Sequence, residues 1–244
     1  MNTYIVGPCS LESFEVACKV LDAIIPKMGG KEWYFKGSFD KANRTNIKGD
    51  RGPRLDEGIL IFKKIKDKYP NVKLITDIHE SYQADLLKDY VDAIQIPAFM
   101  CKQTDLILAA AHNFDIINIK KGQWVDPKTI VGSISKVHSI NPNAKVWVTE
   151  RGSQFGYGQL LVDFGNVEYL KQHFDKVILD VGHSTQRVKE NGRNGGDYKL
   201  ALKYLKAAPI FDYDGVFVEV HPDPLNAISD QDSQIKVNKF LDEL

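Results

Sequence analysis

A short apolar run followed by a helical pattern recurs eight times along the chain, and this constrains the fold more than any other feature. The runs are Tyr4–Gly7, Trp33–Lys36, Leu74–Asp77, Ala93–Ile96, Ile116–Lys120, Val146–Glu150, Val177–Asp180 and Val216–Glu219. Helical patterns fall over Ser13–Met28, Leu55–Tyr69, Tyr82–Asp89, Gln103–Asn113, Pro127–Ile140, Asn166–Phe174, Asp197–Ala207 and Gln231–Leu244. Ser13 stands where an N-cap belongs, and Gly29-Gly30 follow the end of the first pattern. In the second, Leu55, Ile59, Phe62, Ile65 and Tyr69 share one face before Pro70 stops the helix. Helical crossovers give parallel neighbours, and closing eight βα units leaves no sheet edge exposed. The expected fold class is therefore α/β, a (β/α)8 TIM barrel forming a single domain over residues 1–244. An open doubly wound sheet is the alternative. It calls for a glycine fingerprint after the first strand, and Gly7-Pro8-Cys9-Ser10-Leu11-Glu12 is not one.

The ends of these runs are polar: Cys9; Lys36 and Ser38; Asp77 and His79; Gln95; Lys120; Glu150 and Arg151; Asp180 and His183; Glu219 and His221. Burying charge costs several kcal/mol unless it is paired, so a purely structural chain has no reason to place ionisable groups there. In a barrel they converge on the C-terminal face, where active sites sit. The densest stretch is Phe35–Thr45, in which Lys36, Lys41 and Arg44 accompany Ser38, Thr45 and Gly37. Lysine and arginine supply charge and forked donors to phosphate. With Lys120 and Arg151 they make five cations, more than one carboxylate needs and well matched to two phosphorylated substrates. Alternation along Ile117-Asn118-Ile119-Lys120 turns Asn118 and Lys120 inward and favours Lys120 over Lys121.

Cys9, His183, Glu219 and Asp230 are remote in sequence but meet across the first, seventh and eighth strands of a closed barrel. A thiolate, an imidazole and two carboxylates suit a divalent Zn, Fe or Mn ion. Each residue alone also has a plain reading: Cys9 as a small buried hydrophobe, His183 as a satisfied polar group, Asp230 as the N-cap of the last helix. Lys+Arg and Asp+Glu both number 32, so charge gives no reason to expect nucleic acid or an anionic membrane surface as partner. Cys9, Cys18 and Cys101 form no CxxC pair or disulfide framework. No signal peptide or membrane span is visible, and the expected localisation is cytoplasmic.

Together these stretches resemble the KDO-8-phosphate synthase family, relatives of DAHP synthase. The matching runs include Gly7-Pro8-Cys9, Phe35 to Arg44, Arg51-Gly52-Pro53, Thr76 to Glu80, Ile94 to Phe99, Asn118 to Gln123, Thr149 to Gly152, His183-Ser184, Glu219 to Pro222 and Ser229-Asp230. They keep the family's order over nearly the whole chain. The resemblance implies condensation of phosphoenolpyruvate with D-arabinose 5-phosphate, release of phosphate, and a homotetramer. It implies that Lys36, Ser38, Lys41, Gln95, Lys120 and Arg151 hold phosphoenolpyruvate, that Asn43, Arg44 and Thr45 take the aldose phosphate, and that Asp77 meets sugar hydroxyls. Lys41, Asn43, Asp77, Lys120 and His183 are the catalytic set it implies. Cysteine at position 9 marks the metal-dependent branch, with Cys9, His183, Glu219 and Asp230 as ligands. Lys102 in place of an arginine, Gly182 beside His183, and Asn46 to Asp50 depart from the family pattern. A DAHP synthase-like use of erythrose 4-phosphate and a non-catalytic sugar-phosphate-binding barrel are the competing readings.

Overall fold

The structure, a computed structural model, describes residues 1–44, 46–188 and 194–244. Eight parallel strands form the closed barrel: β1 (Thr3–Gly7), β2 (Glu32–Lys36), β3 (Leu74–Asp77), β4 (Ala93–Ile96), β5 (Ile116–Lys120), β6 (Lys145–Glu150), β7 (Lys176–Asp180) and β8 (Gly215–His221). Each pairs with its sequence neighbours, and β1 pairs with β8 in register from Thr3↔Gly215 to Gly7↔Glu219, which closes the barrel. The open-sheet alternative is thereby excluded. All eight expected runs are strands, within two residues at either end.

Among the described residues, eight α-helices surround the strands: α1 (Phe14–Ile24), α2 (Arg54–Lys68), α3 (Ser81–Leu87), α4 (Thr104–Asn113), α5 (Pro127–His138), α6 (Val167–Lys171), α7 (Tyr198–Ala207) and α8 (Val237–Leu241). Ser13 caps α1 by accepting from the Val16 amide, as expected. The helix gives way at Ile25 to a 3-10 turn over Ile25–Lys27, because Pro26 brings no amide hydrogen to the ladder. Asn166–Phe174 likewise resolves into a 3-10 turn and the short α6.

The expected helix Gln231–Leu244 needs the largest correction. Ser233 and Gln234 fold their amides back onto the Asp230 carbonyl, at 3.1 and 3.0 Å. Ile235–Lys236 then runs parallel to the end of β8, pairing with Val220 and His221, and only Val237–Leu241 is helical. Ile235 is fully buried, and a strand places it under the barrel wall where a helix would have rotated it away. Asp230 is therefore not a helix N-cap; it has φ +48° and its side chain points to Cys9.

Register sets what the barrel encloses. Ile5, Tyr34, Ile75, Ala93, Ile116, Trp147, Ile178 and Phe217, one from each strand, form an inner apolar layer. Below it, Lys176 pairs with Glu32 and lies over the Trp147 ring, sealing the N-terminal end. The side-chain period of two puts Gly7, Lys36, Asp77, Gln95, Asn118, Thr149, Asp180 and Glu219 in the next layer up. Every one is buried. Gly7 is required there, since a Cβ would lie 2.0 Å from the Lys36 carbonyl oxygen. The helices pack against the outward-facing residues in a continuous second core. No described helix is long and apolar enough to cross a membrane.

Candidate active site

An apolar layer capped by a polar one leaves the chemistry no place but the C-terminal mouth. On β3, Asp77 meets the Lys36 ammonium at 3.1 Å, His79 Nε2 at 3.2 Å, and the donated hydroxyl of Ser38 at 3.0 Å. Burial favours its neutral form, but Lys36, His79 and Lys41 outweigh burial and hold the carboxyl well below the usual range. Lys41 follows Asp40, whose carboxylate takes both Arg51 Nε and Nη2, at 2.8 and 2.6 Å, and so pins the loop after β2. Burial opposes the Lys41 charge, yet Cys9, Glu219, Asp77 and Asp230 raise its pKa and keep it an ammonium.

Across the mouth, Lys120 points inward, as the alternation along β5 predicts. It pairs with Asp180 and sits 3.4 Å from the centre of the Phe217 ring. Lys121 instead turns to Glu150 at 3.4 Å and donates to the Val125 carbonyl at 3.1 Å. The same Glu150 accepts the Gly152 amide at 2.6 Å, at a glycine with φ +92°. That brace fixes the backbone on both sides of Arg151. Arg151 donates from Nη2 to Gln186 at 2.7 Å, while its Nη1 is buried with no protein partner. Burial lowers the pKa of both Lys120 and Arg151 despite their acidic neighbours.

Asp180, absent from the expected site set, organises this side. Its Oδ1 accepts the His183 amide at 2.9 Å, and its Oδ2 accepts both His183 Nδ1, at 2.9 Å, and Lys120. A carboxylate only accepts, so Nδ1 of His183 carries a proton. Burial works against the Asp180 charge, but His183 and Lys120 hold its pKa far below the ordinary value. The sequence signal was an aspartate three residues before a histidine at a strand end. His79, named among the strand ends but not in the site set, is the other addition.

Cys9, Glu219 and Asp230 place one sulfur and two carboxylate oxygens within 4.8 Å of one another. Both Glu219 oxygens are buried without a hydrogen-bond partner. Cys9 donates its thiol to Asp230 Oδ2 at 2.9 Å, and burial followed by the charges of Asp230 and Glu219 pushes its pKa well up. An acidic, partly unsatisfied cluster holding a thiol fits a divalent cation, which would take the thiol as thiolate. His183 stands outside the tight group of three, with Nε2 3.8 Å from Glu219.

The remaining expected residues divide. Gln95 is buried and accepts from Asn118 Nδ2 at 3.0 Å. Arg44 donates to the carbonyls of Asp50, at 2.7 Å, and Ile228, at 3.1 Å. Asn43 is exposed, on the turn at residues 42–43. Thr45 lies outside the described residues.

A closed barrel whose mouth gathers four inward cations beside a thiol–carboxylate cluster belongs to the barrels built for anionic, phosphorylated substrates. This chain belongs to the DAHP synthetase I family, whose model matches residues 2–243. Among relatives, it is 41% identical over 251 residues to a Helicobacter pylori (strain P12) protein named 2-dehydro-3-deoxyphosphooctonate aldolase, covering 97% of this chain and 90% of that protein. Proteins of the same name from Wolinella succinogenes and Campylobacter jejuni (strain RM1221) are each 39% identical, over 95% and 97% of this chain and 92% and 91% of theirs.

Proposed function

We propose that the chain condenses phosphoenolpyruvate with D-arabinose 5-phosphate and water to give 3-deoxy-D-manno-octulosonate 8-phosphate and inorganic phosphate. The observation that carries this reading is the paired arrangement of cations, Lys36 and Lys41 on one side and Lys120 and Arg151 on the other, around the cluster of Cys9, Glu219 and Asp230. The reaction joins C3 of the enol phosphate to the aldehyde carbon, adds water at C2 and cleaves the C2–O bond to phosphate.

Lys120, Arg151, Lys36 and Lys41, with Ser38 and Gln95, hold the phosphate and carboxylate of phosphoenolpyruvate. The unpartnered Arg151 Nη1 is the clearest vacant donor for that anion. Arg44, with Asn43 and Thr45, takes the aldose phosphate, and Asp77 accepts from sugar hydroxyls. Fixed opposite cations let two anions approach that would otherwise repel, and turn a bimolecular encounter into a positioned one. Asp180 holds His183 through Nδ1 and so orients its Nε2 toward Glu219. Cys9, His183, Glu219 and Asp230 would hold a divalent Zn, Fe or Mn ion, which supplies Lewis acidity toward the aldehyde oxygen or the attacking water. The same reading takes the protein as a cytoplasmic homotetramer; exposed Phe99, Trp124, Phe155 and Tyr157 offer apolar surface around the mouth for subunit contact.

The aldose is tested by phosphate release from phosphoenolpyruvate with a panel of aldose phosphates. Arabinose 5-phosphate is expected to give the highest kcat/KM. Equal or faster turnover of erythrose 4-phosphate would overturn the assignment.

A further inference from the structure

Two ligands of the thiol–carboxylate cluster sit on separate pieces of chain: Cys9 just beyond β1, and Asp230 in the loop after β8. Neither piece is held at this point by the strand ladder, whose β1–β8 pairing ends at Gly7↔Glu219. A buried side chain spans the gap beside Cys9 itself. Gln234 Oε1 accepts the Cys9 amide at 3.2 Å, and its Nε2 donates to the Ser229 carbonyl at 2.8 Å. Its residue exposure is 1%, so both hydrogen bonds are shielded from water. The backbone amide of Gln234 also donates to the Asp230 carbonyl at 3.0 Å, which supports the left-handed turn at Asp230.

We infer that Gln234 is a positioning residue that sets the separation of Cys9 and Asp230 and thereby the affinity of the cluster for a divalent metal. The inference rests on the metal reading above. A carboxamide offers an acceptor and a donor on one planar group, which is what the Cys9 amide and Ser229 carbonyl demand. The neighbouring residue Ile228 is fixed independently, its amide donating to Glu12 Oε1 at 3.1 Å and its carbonyl accepting from Arg44. Gln234 is the link that reaches the Cys9 backbone itself, whereas Glu12, three residues further along the same loop, and Arg44 hold the post-β8 loop at Ile228. Its place in the sequence, inside a stretch that reads as the start of a helix, conceals this role; the turn and the short strand Ile235–Lys236 are what aim it inward.

The test compares the parent protein with Q234M, of similar length but without the carboxamide, and Q234E, of the same shape but lacking the donor to Ser229. Co²⁺ is the probe, read by chelator competition and by the thiolate-to-metal charge-transfer band that reports Cys9. Both variants are expected to bind Co²⁺ about 10–100-fold more weakly, as loss of groups that orient metal ligands does. They should show a weakened or displaced band, and recover kcat at excess metal. A parent that shows the band together with variants that match its affinity and spectrum overturns the inference alone. A parent with no thiolate band overturns the metal reading and this inference with it. Loss of native circular dichroism in both variants also overturns it, because Gln234 would then be a folding determinant.

Discussion

Replacing Asp180 by asparagine removes one charge and leaves every heavy-atom position nearly unchanged, yet it is expected to destabilise the metal-free protein substantially. Asp180 is fully buried and receives three donors: the His183 amide, His183 Nδ1 and the Lys120 ammonium. A carboxamide has one acceptor end. Whichever way it turns, its NH2 meets a donor, and Lys120, 5% exposed, loses its counter-ion. Removing one partner of a buried ion pair costs about 3–5 kcal/mol. With 244 residues and about 2.1 cal/mol/K per residue, unfolding entropy is roughly 0.5 kcal/mol/K, so the lower figure is a fall in Tm of about 6 °C. Burial already lowers the Lys120 pKa, and without Asp180 the folded chain binds that proton more weakly still. The unfolded chain, with lysine near about 10.4, then holds more protons, so stability of the variant rises with pH relative to the parent. Scanning calorimetry of chelator-treated Asp180→Asn and parent proteins should show a Tm deficit that narrows between about pH 7 and about pH 10. An unchanged Tm, or a deficit that widens with pH, would refute the reasoning.

Asp77 gives the complementary acid-side result. Its pKa is depressed in the folded state, so its contribution is complete above the unfolded value of about 3.9 and is lost as pH falls below it. The Tm gap between the parent and Asp77→Asn should shrink on acidification from about pH 5 to about pH 2, and a constant gap would contradict the pairing with Lys36, His79 and Lys41. Arg151→Lys keeps the charge but loses the fork whose Nη1 is buried without a protein partner. Its KM for phosphoenolpyruvate should rise about tenfold in steady-state kinetics, and an unaltered KM would remove Arg151 from the anion site.

Much of this molecule can be read along the chain, because a barrel repeats one physical unit. Each strand is short, buried on both sides and punctuated by a polar end, and the inward turn of Asn118 and Lys120 follows from a period of two. Alternation likewise separates Lys120 from Lys121, which look alike in sequence and face Asp180 and Glu150 respectively. What escaped lies where function depends on loops joining at the mouth. Asp180 is legible only as a strand-end aspartate three residues before a histidine, and its importance comes from Lys120, sixty positions away. The stretch Gln231–Leu244 has helical composition, but the turn at Asp230 and the burial of Ile235 override local propensity. Asn43 lies in the dense polar segment yet is exposed, on a turn that the alternation of the preceding strand does not reach.

The central claim is that a two-anion mouth and a Cys9-containing metal cluster act together in one condensation. Its most direct measurement is phosphate release from phosphoenolpyruvate and arabinose 5-phosphate by the chelator-stripped protein, before and after adding Zn²⁺, Fe²⁺ or Mn²⁺. The account predicts negligible release without metal, restoration on adding one of these ions, and release that depends on both substrates. Full turnover in the stripped protein, or phosphate release that ignores the aldose, would contradict it.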